Sequence, residues 1–303
     1  MTSIFKKLFG RKSPAVSASV DMPTLPVMER PASAAPVPTG EKVHLDLPQL
    51  HVGCAQSIGK QRDHNEDSLL AINTLISENG DYIPFGLYIV ADGMGGHKFG
   101  EIASGLAVRT VANQVVRKVF LALLSPKPER PSDSIQEILE DSLQEAHRLV
   151  MKEAPGSGTT LTAVLILDKQ MSIAHVGDSR LYAISPESEV SVITRDHSLV
   201  MRMMELGQLS EKDAAIHPQR NVLYRALGQG EVFSPDILTT PLPASGSLLL
   251  CSDGLWGVVP QAELARLINA YPDPQIAAQL LVDAANAAGG PDNISVILIR
   301  LPE

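Results

Sequence analysis

The chain has 303 residues, 44% of them apolar, and a formal net charge of -9. That length suits one α/β domain with a tail, and the apolar share fills a large core without staples. The acidic balance excludes a nucleic-acid protein built on clustered Lys and Arg, and it favours cation binding.

The chain opens on "MTSIFKKLFGRK", where Ile4, Phe5, Leu8 and Phe9 recur at helical spacing beside Lys6, Lys7, Arg11 and Lys12. The pattern suits a short membrane-surface or partner-binding helix. A frayed, solvated terminus fits equally, since so short a helix is marginal and Gly10 interrupts it. From Ser13 to about Pro48 the chain is Pro, Ala, Ser and Val with scattered charge, which predicts a disordered tail over 1–48 ahead of a folded domain over 49–303. No apolar run is long enough to span a bilayer and no secretory h-region is present, so the expected compartment is the cytoplasm, with a peripheral position at the inner face of the membrane if the tail docks there. The cysteines Cys54 and Cys251 lie in apolar stretches and read as small buried thiols.

From His51 onward "HVGCAQSIG", "YIPFGLYIVADG", "TTLTAVLIL", "MSIAHVGDSRLYAI", "SLLLCSDG" and "NISVILIRL" read as strands. Glu101 to Leu124 looks helical. Between Ser134 and Ala154 apolar residues recur at helical spacing behind a capping box of Ser134 and Glu137. A further helix runs from Asp273 to Ala288, opening on Asp-Pro and closing at Gly289 and Gly290. Strands in runs with long helices between the runs favour antiparallel sheets covered by helices.

Carboxylates recur where strands end or begin: "NED" at Asn65 to Asp67, "ADG" at Asp92, "VGDSR" at Asp178, "CSDG" at Asp253 and "GPDN" at Asp292. Each alone is an ordinary turn signal. As a set they predict acidic side chains converging at one end of a sheet, where mutual repulsion is relieved by cations. Oxygen donors without His or Cys at metal spacing favour Mg²⁺ or Mn²⁺ over Zn²⁺ or copper. Two such ions, about 3.5 to 4 Å apart, can clamp a phosphoryl group.

"RDHNED", "VADGMGGH", "GSGTTLTAVLI", "AHVGDSRLY", "TRDHSLV", "LYRALG", "LLLCSDGLW" and "GGPDNISVILI" stand in the order found in the metal-dependent type 2C serine/threonine protein phosphatases, particularly bacterial ones. The chain resembles that family from His51 to Arg300. The resemblance implies an α+β fold, a four-layer α-β-β-α sandwich of two antiparallel sheets flanked by helices. It implies hydrolysis of phosphoserine and phosphothreonine by in-line attack of a hydroxide bridging two Mn²⁺ or Mg²⁺ ions. Asp92 would bridge the ions, the Gly93 carbonyl would bind one of them, Glu66 would complete the second ion's ligands, and Asp253 and Asp292 would hold the first. Asp67 would orient metal-bound water, and Asp178 with Asp253 would support a third, weaker ion, unless Asp178 only caps its turn. Arg62, four residues before Glu66, would grip phosphate.

Eukaryotic relatives carry a histidine after Asp-Gly, proposed to protonate the leaving oxygen; here that position is Met94, whose thioether cannot donate a proton. His97 reads as loop-stabilising, and the acid stays unassigned. His197 reads as a turn anchor, Trp256 as packing, and Met201, Met203 and Met204 as core filling. Residues Met201 to Leu227 resemble the family's variable flap beside the active site. The implied partners are phosphorylated proteins and a cognate Ser/Thr kinase, the chain itself being a monomer. A catalytically inactive regulatory binding module on the same fold is the alternative, disfavoured by the retained Glu66, Asp92, Asp253 and Asp292.

Overall fold

The computed structural model describes residues 49–78, 81–95, 99–125, 133–231 and 233–302. The tail assigned to 1–48 and the role assigned to His97 lie outside the described residues. In chain order the strands are β1 (His51–Ser57), β2 (Ser68–Glu78), β3 (Asp81–Ala91), β4 (Gly93–Met94), β5 (Gly158–Thr159), β6 (Leu161–Leu167), β7 (Gln170–Val176), β8 (Arg180–Ile184), β9 (Val190–Val192), β10 (Asp236–Pro241), β11 (Ser247–Cys251) and β12 (Ile294–Arg300). The helices are α1 (Gly100–Val115), α2 (Ile135–Glu153), α3 (Leu199–Glu205), α4 (Glu211–Ala215), α5 (Asp253–Trp256), α6 (Gln261–Ala270) and α7 (Pro274–Ala287). A π-helical turn, Val116–Phe120, and a last turn at Leu121–Leu123 carry α1 onward.

Central strands here are apolar on both faces because each has a different neighbour on either side. In β12, Ile294, Val296 and Leu298 pack with α6 and α7, while Ile297 and Ile299 pack between the sheets. β3 does the same: Phe85, Leu87, Ile89 and Ala91 meet α1 and α2, and Tyr88 and Val90 meet the facing sheet. The first sheet runs β1-β12-β11-β8-β9 and the second β10-β7-β6-β3-β2, each five-stranded, with antiparallel pairs throughout. Helices on both outer faces complete the expected four layers. Ser134 and Glu137 form the capping box, and Asp273 caps α7 ahead of Pro274.

In the two five-stranded sheets three strands escape the sequence reading, and all three are sheet edges: β2, β9 and β10. Edge strands face solvent, so "SLLAINTLISE" and "DILTTP" mix polar residues among apolar ones and lose the run that marks an inner strand. The stretch read as one strand, "MSIAHVGDSRLYAI", is two, β7 in the second sheet and β8 in the first. Gly177, at φ +102°, makes that crossing, since a side chain rarely adopts the angle. The methionines depart from the core reading: Met201, Met203 and Met204 are only half-buried, on a short helix with Leu206 exposed beyond it. Cys251 is buried as expected and Cys54 half-buried, both free.

Candidate metal and phosphate site

Antiparallel pairing sets the start of one strand beside the end of the next, and this gathers the carboxylates. Ser68 pairs with Ala91, so Asp67 and Asp92 flank the same end of β2 and β3. Cys251 pairs with both Val296 and Arg180, which brings Asp253, Asp292 and Asp178 to the matching end of the first sheet. One cavity of ≈ 660 Å³ is lined by Arg62, Glu66, Asp92, Gly93, Asp178, Asp253 and Asp292. Every predicted site residue except Asp67 reaches its wall.

Backbone and side-chain bonds hold each donor. The Asp92 amide donates to the Thr160 hydroxyl at 2.9 Å and its carbonyl accepts from the Thr160 amide at 2.9 Å. The Gly93 amide donates to Glu66 O at 3.2 Å. A Cβ on Gly93 would collide with Gly100 O and stand 2.6 Å from Glu66 O, so the glycine answers first to protein backbone packed against it. Asn293 Oδ1 accepts from the Glu66 amide at 2.8 Å, and its Nδ2 donates to Ile58 O and His64 O. Asp67 lies behind the wall, its Oδ2 accepting from Ser252 and Ser295 hydroxyls at 2.7 Å each. Trp256 Nε1 donates to Asp178 O at 3.0 Å, so the tryptophan fixes a site residue as well as packing.

Three carboxylate oxygens in this region are buried without a hydrogen-bond partner: Glu66 Oε1, Asp67 Oδ1 and Asp253 Oδ1. Burial, and then the charges of Asp67, Asp253, Asp178 and Asp292, hold the Asp92 carboxyl well above the usual carboxylate range. Burial pushes Asp67 up to about 7 against the pull of its two serine hydroxyls. Burial and Asp292 push Asp253 up to about 6, and burial with Asp253 and Asp196 raises Asp178 strongly. Arg62 sets a cation among them, Nη2 donating to Asp292 Oδ2 at 2.6 Å. That bond and the surrounding carboxylates raise its own pKa further. Among the described residues no three Asp, Glu, His or Cys side chains close tightly enough around one point to chelate an ion as they stand. The donor chemistry nevertheless fits hard cations: oxygen only, unsatisfied and mutually repelling.

Met94 lines the cavity, offering no proton. Thr160, Asn221, Leu223 and His64 line it too and were not singled out from sequence. Their types carry no signal until the fold brings them to the strand ends. His64 Nε2 lies 3.4 Å from Glu66 Oε1.

Residues 53–294 match the family described as Protein phosphatase 2C. The serine/threonine phosphatase stp of Listeria innocua is 37% identical over 257 residues, covering 83% of this chain and 96% of its own length. The crystal structure of the serine/threonine phosphatase PstP/Ppp of Mycobacterium tuberculosis superposes with a TM-score of 0.70 at 28% identity, over 84% of this chain and 100% of that one. A catalytic domain of PstP in complex with 2 manganese ions superposes with a TM-score of 0.67 at 26% identity, over 84% and 99%. None of these likenesses supports the inactive-module alternative. With the motif order, the two-sheet fold and the carboxylate cavity, they identify the chain as a member of the protein phosphatase 2C family, a bacterial-type serine/threonine phosphatase.

Proposed function

We propose that the cavity holds two Mn²⁺ or Mg²⁺ ions on Glu66, Asp92, the Gly93 carbonyl, Asp253 and Asp292, and that it hydrolyses phosphoserine and phosphothreonine in proteins. The observation that carries this reading is the pair of buried oxygens without a hydrogen-bond partner, Glu66 Oε1 and Asp253 Oδ1, in a cavity that also presents Arg62. Bound there, the ions would lower the pKa of water and offset the charge of the phosphoryl group. Asp92 follows β3 of the second sheet and Asp253 follows β11 of the first, so charge reaches the cavity from both sheets. Arg62 is half-exposed and turned to Asp292. With the Asp292 charge offset by a bound cation, the Arg62 guanidinium would be free to grip two oxygens of a substrate phosphate at once. Asp67, anchored by two serines behind the cavity wall, keeps one buried oxygen without a donor and would accept from a water reaching it from the site. Asp178 stands beside Asp253 electrostatically and is the donor for a third, weaker ion.

Residues 49–303 form the catalytic domain in this reading, and 1–48 set location or partner choice, by contact with a membrane surface or another protein. Among the described residues no helix is long and apolar enough to cross a membrane. A cytoplasmic monomer opposing a Ser/Thr kinase fits the composition. The test is the full chain stripped by chelator, titrated with Mn²⁺ by calorimetry and assayed on a phosphothreonine peptide in parallel. Binding of two ions with return of activity is expected, and Arg62→Ala should raise KM while leaving Mn²⁺ affinity near that of the parent. Full turnover in chelator would end the binuclear reading.

A further inference from the structure

A second cavity, of ≈ 410 Å³, is lined by Arg195, His197, Arg202, Tyr224, Arg225 and Asp236. In a chain of net charge -9 it concentrates three guanidinium groups against two carboxylates. Arg195 and Arg202 share one of them, Glu205, and Arg225 takes Asp236 at 2.9 Å. The side chains of Arg195 and Arg202 remain 55% and 53% exposed. Each guanidinium carries five N–H donors in a planar fork, far more than one shared carboxylate can accept. Tyr224 adds a phenol, with the Arg225 guanidinium 5.7 Å from its ring.

One short stretch of chain contributes to the walls of both cavities. Asn221 and Leu223 line the first cavity and Tyr224 and Arg225 the second. His197 holds that stretch in place. Its carbonyl accepts from the Tyr224 amide at 2.9 Å, its own amide donates to Gly177 O at 2.7 Å, and Nδ1 accepts from the Gly177 amide at 3.2 Å. With Nδ1 accepting, Nε2 carries the proton and donates to Asp236 Oδ2 at 3.1 Å. The floor of the arginine cavity is therefore a built element tied to the turn that carries Asp178.

The geometry points to this cavity as a subsite for a second oxyanion, a phosphate monoester or a carboxylate, borne by the same substrate polypeptide a few residues from the phosphoryl group being removed. An extended peptide advances about 3.3 Å per residue, so the spacing between the two anions should decide which substrates gain. The inference rests on the proposed function of the first cavity.

The test uses the full chain with Mn²⁺ and a set of phosphothreonine peptides that carry a glutamate, a phosphoserine or a neutral residue at each of several flanking positions. At the favoured spacing the acidic peptides should exceed the neutral one by about fivefold or more in kcat/KM, carried by KM, as befits charge-assisted bonds at half-exposed arginines. The preference should shrink as salt is added. Arg195→Gln combined with Arg202→Gln should abolish it while the neutral peptide turns over as in the parent. Glu205→Gln, which frees both arginines from their shared partner, should enlarge it; a reduced preference there would mean that the arginines serve only as internal ion pairs, and would overturn the proposal. Equal turnover of acidic and neutral peptides by the parent would also overturn it. If, in that case, calorimetry shows sulfate binding that the double variant loses, the cavity takes free anions and not substrate. Absence of turnover on every peptide would instead count against the first cavity, so the two readings fail separately.

Discussion

Two buried polar clusters in this fold differ in one respect that tells their roles apart. Around Arg180 every group is paired: Nε and Nη2 donate to Asp196 at 3.0 and 2.7 Å, Nη1 donates to the Tyr182 hydroxyl at 3.1 Å, and the guanidinium stacks over Trp256 at 3.5 Å. A few residues away, Asp67 and Asp253 keep buried oxygens with no donor. A closed network holds structure together, whereas an open one of like charge costs free energy until something from outside completes it. The contrast supports the proposed reading of the carboxylate cluster as a ligand site, with the arginine network as its scaffold.

The largest effect should come from the open cluster. Asp92→Asn is expected to lower kcat by about a thousandfold or more, on the scale of losing a group that acts on transition-state charge. The same substitution removes one of the repelling charges, so in chelator the variant should melt above the parent. A variant that is both active and less stable would erase the contrast.

The closed network should respond in the opposite currency. Asp196→Ala leaves Arg180, only 17% exposed in its side chain, without its carboxylate, and should cost about 3 to 5 kcal/mol in urea unfolding. A loss below about 1 kcal/mol, the value of a surface pair, would show that the network is not the scaffold inferred here.

Asp178 stands between the two clusters, its carboxylate in the cavity and its carbonyl on Trp256. As a third-ion donor it should lower phosphopeptide turnover by about a hundredfold on replacement by alanine, with a smaller loss on p-nitrophenyl phosphate, whose leaving group hardly needs a proton. As a turn cap it would lower both alike and cost about 0.5 to 2 kcal/mol.

The smallest effect is on pH dependence. Burial pushes folded Asp67 up to about 7 and folded Asp253 up to about 6, above the unfolded value of about 3.9. Between those limits the folded, cation-free chain holds protons that the unfolded chain has released, so its stability falls as pH rises from about 4 to 7. Melting curves in chelator should therefore shift down from pH 5 to pH 7.5, and the gain from added Mn²⁺ should be larger at pH 7.5. An upward shift in chelator would mean that these carboxylates are ionised and satisfied in the fold.

Much of this was legible in the sequence, for identifiable reasons. The inner strands β3, β6, β7, β8, β11 and β12 announce themselves because layers on both faces demand apolar residues at every position. Of the four edge strands only β1 does, and β2, β9 and β10 were missed. The carboxylates were readable as a set because each adjoins a strand end, and His197 because its place after Asp196 suits a turn anchor, a role its bonds to Gly177 bear out. Thr160, Asn293, Ser252 and Ser295 were illegible as partners. Their bonds to Asp92, Glu66 and Asp67 span up to more than two hundred residues, and only the pairing of strands says which polar side chain meets which.

The proposed donors are divided between the sheets: Glu66 and Asp92 flank strands of the second, Asp253 and Asp292 strands of the first. A cation held by both halves is then a reversible cross-link between segments far apart in the chain. It can form only after the sheets have docked, so a folding intermediate with one sheet assembled presents half of the ligands and binds weakly. Mn²⁺ should leave the folding rate nearly unchanged and act on the unfolding rate, because the contacts it adds are absent until the last association is made. At a hundred times its dissociation constant the ion would contribute about 2.7 kcal/mol, so the metal that equips the site for chemistry would also govern how long the folded chain survives.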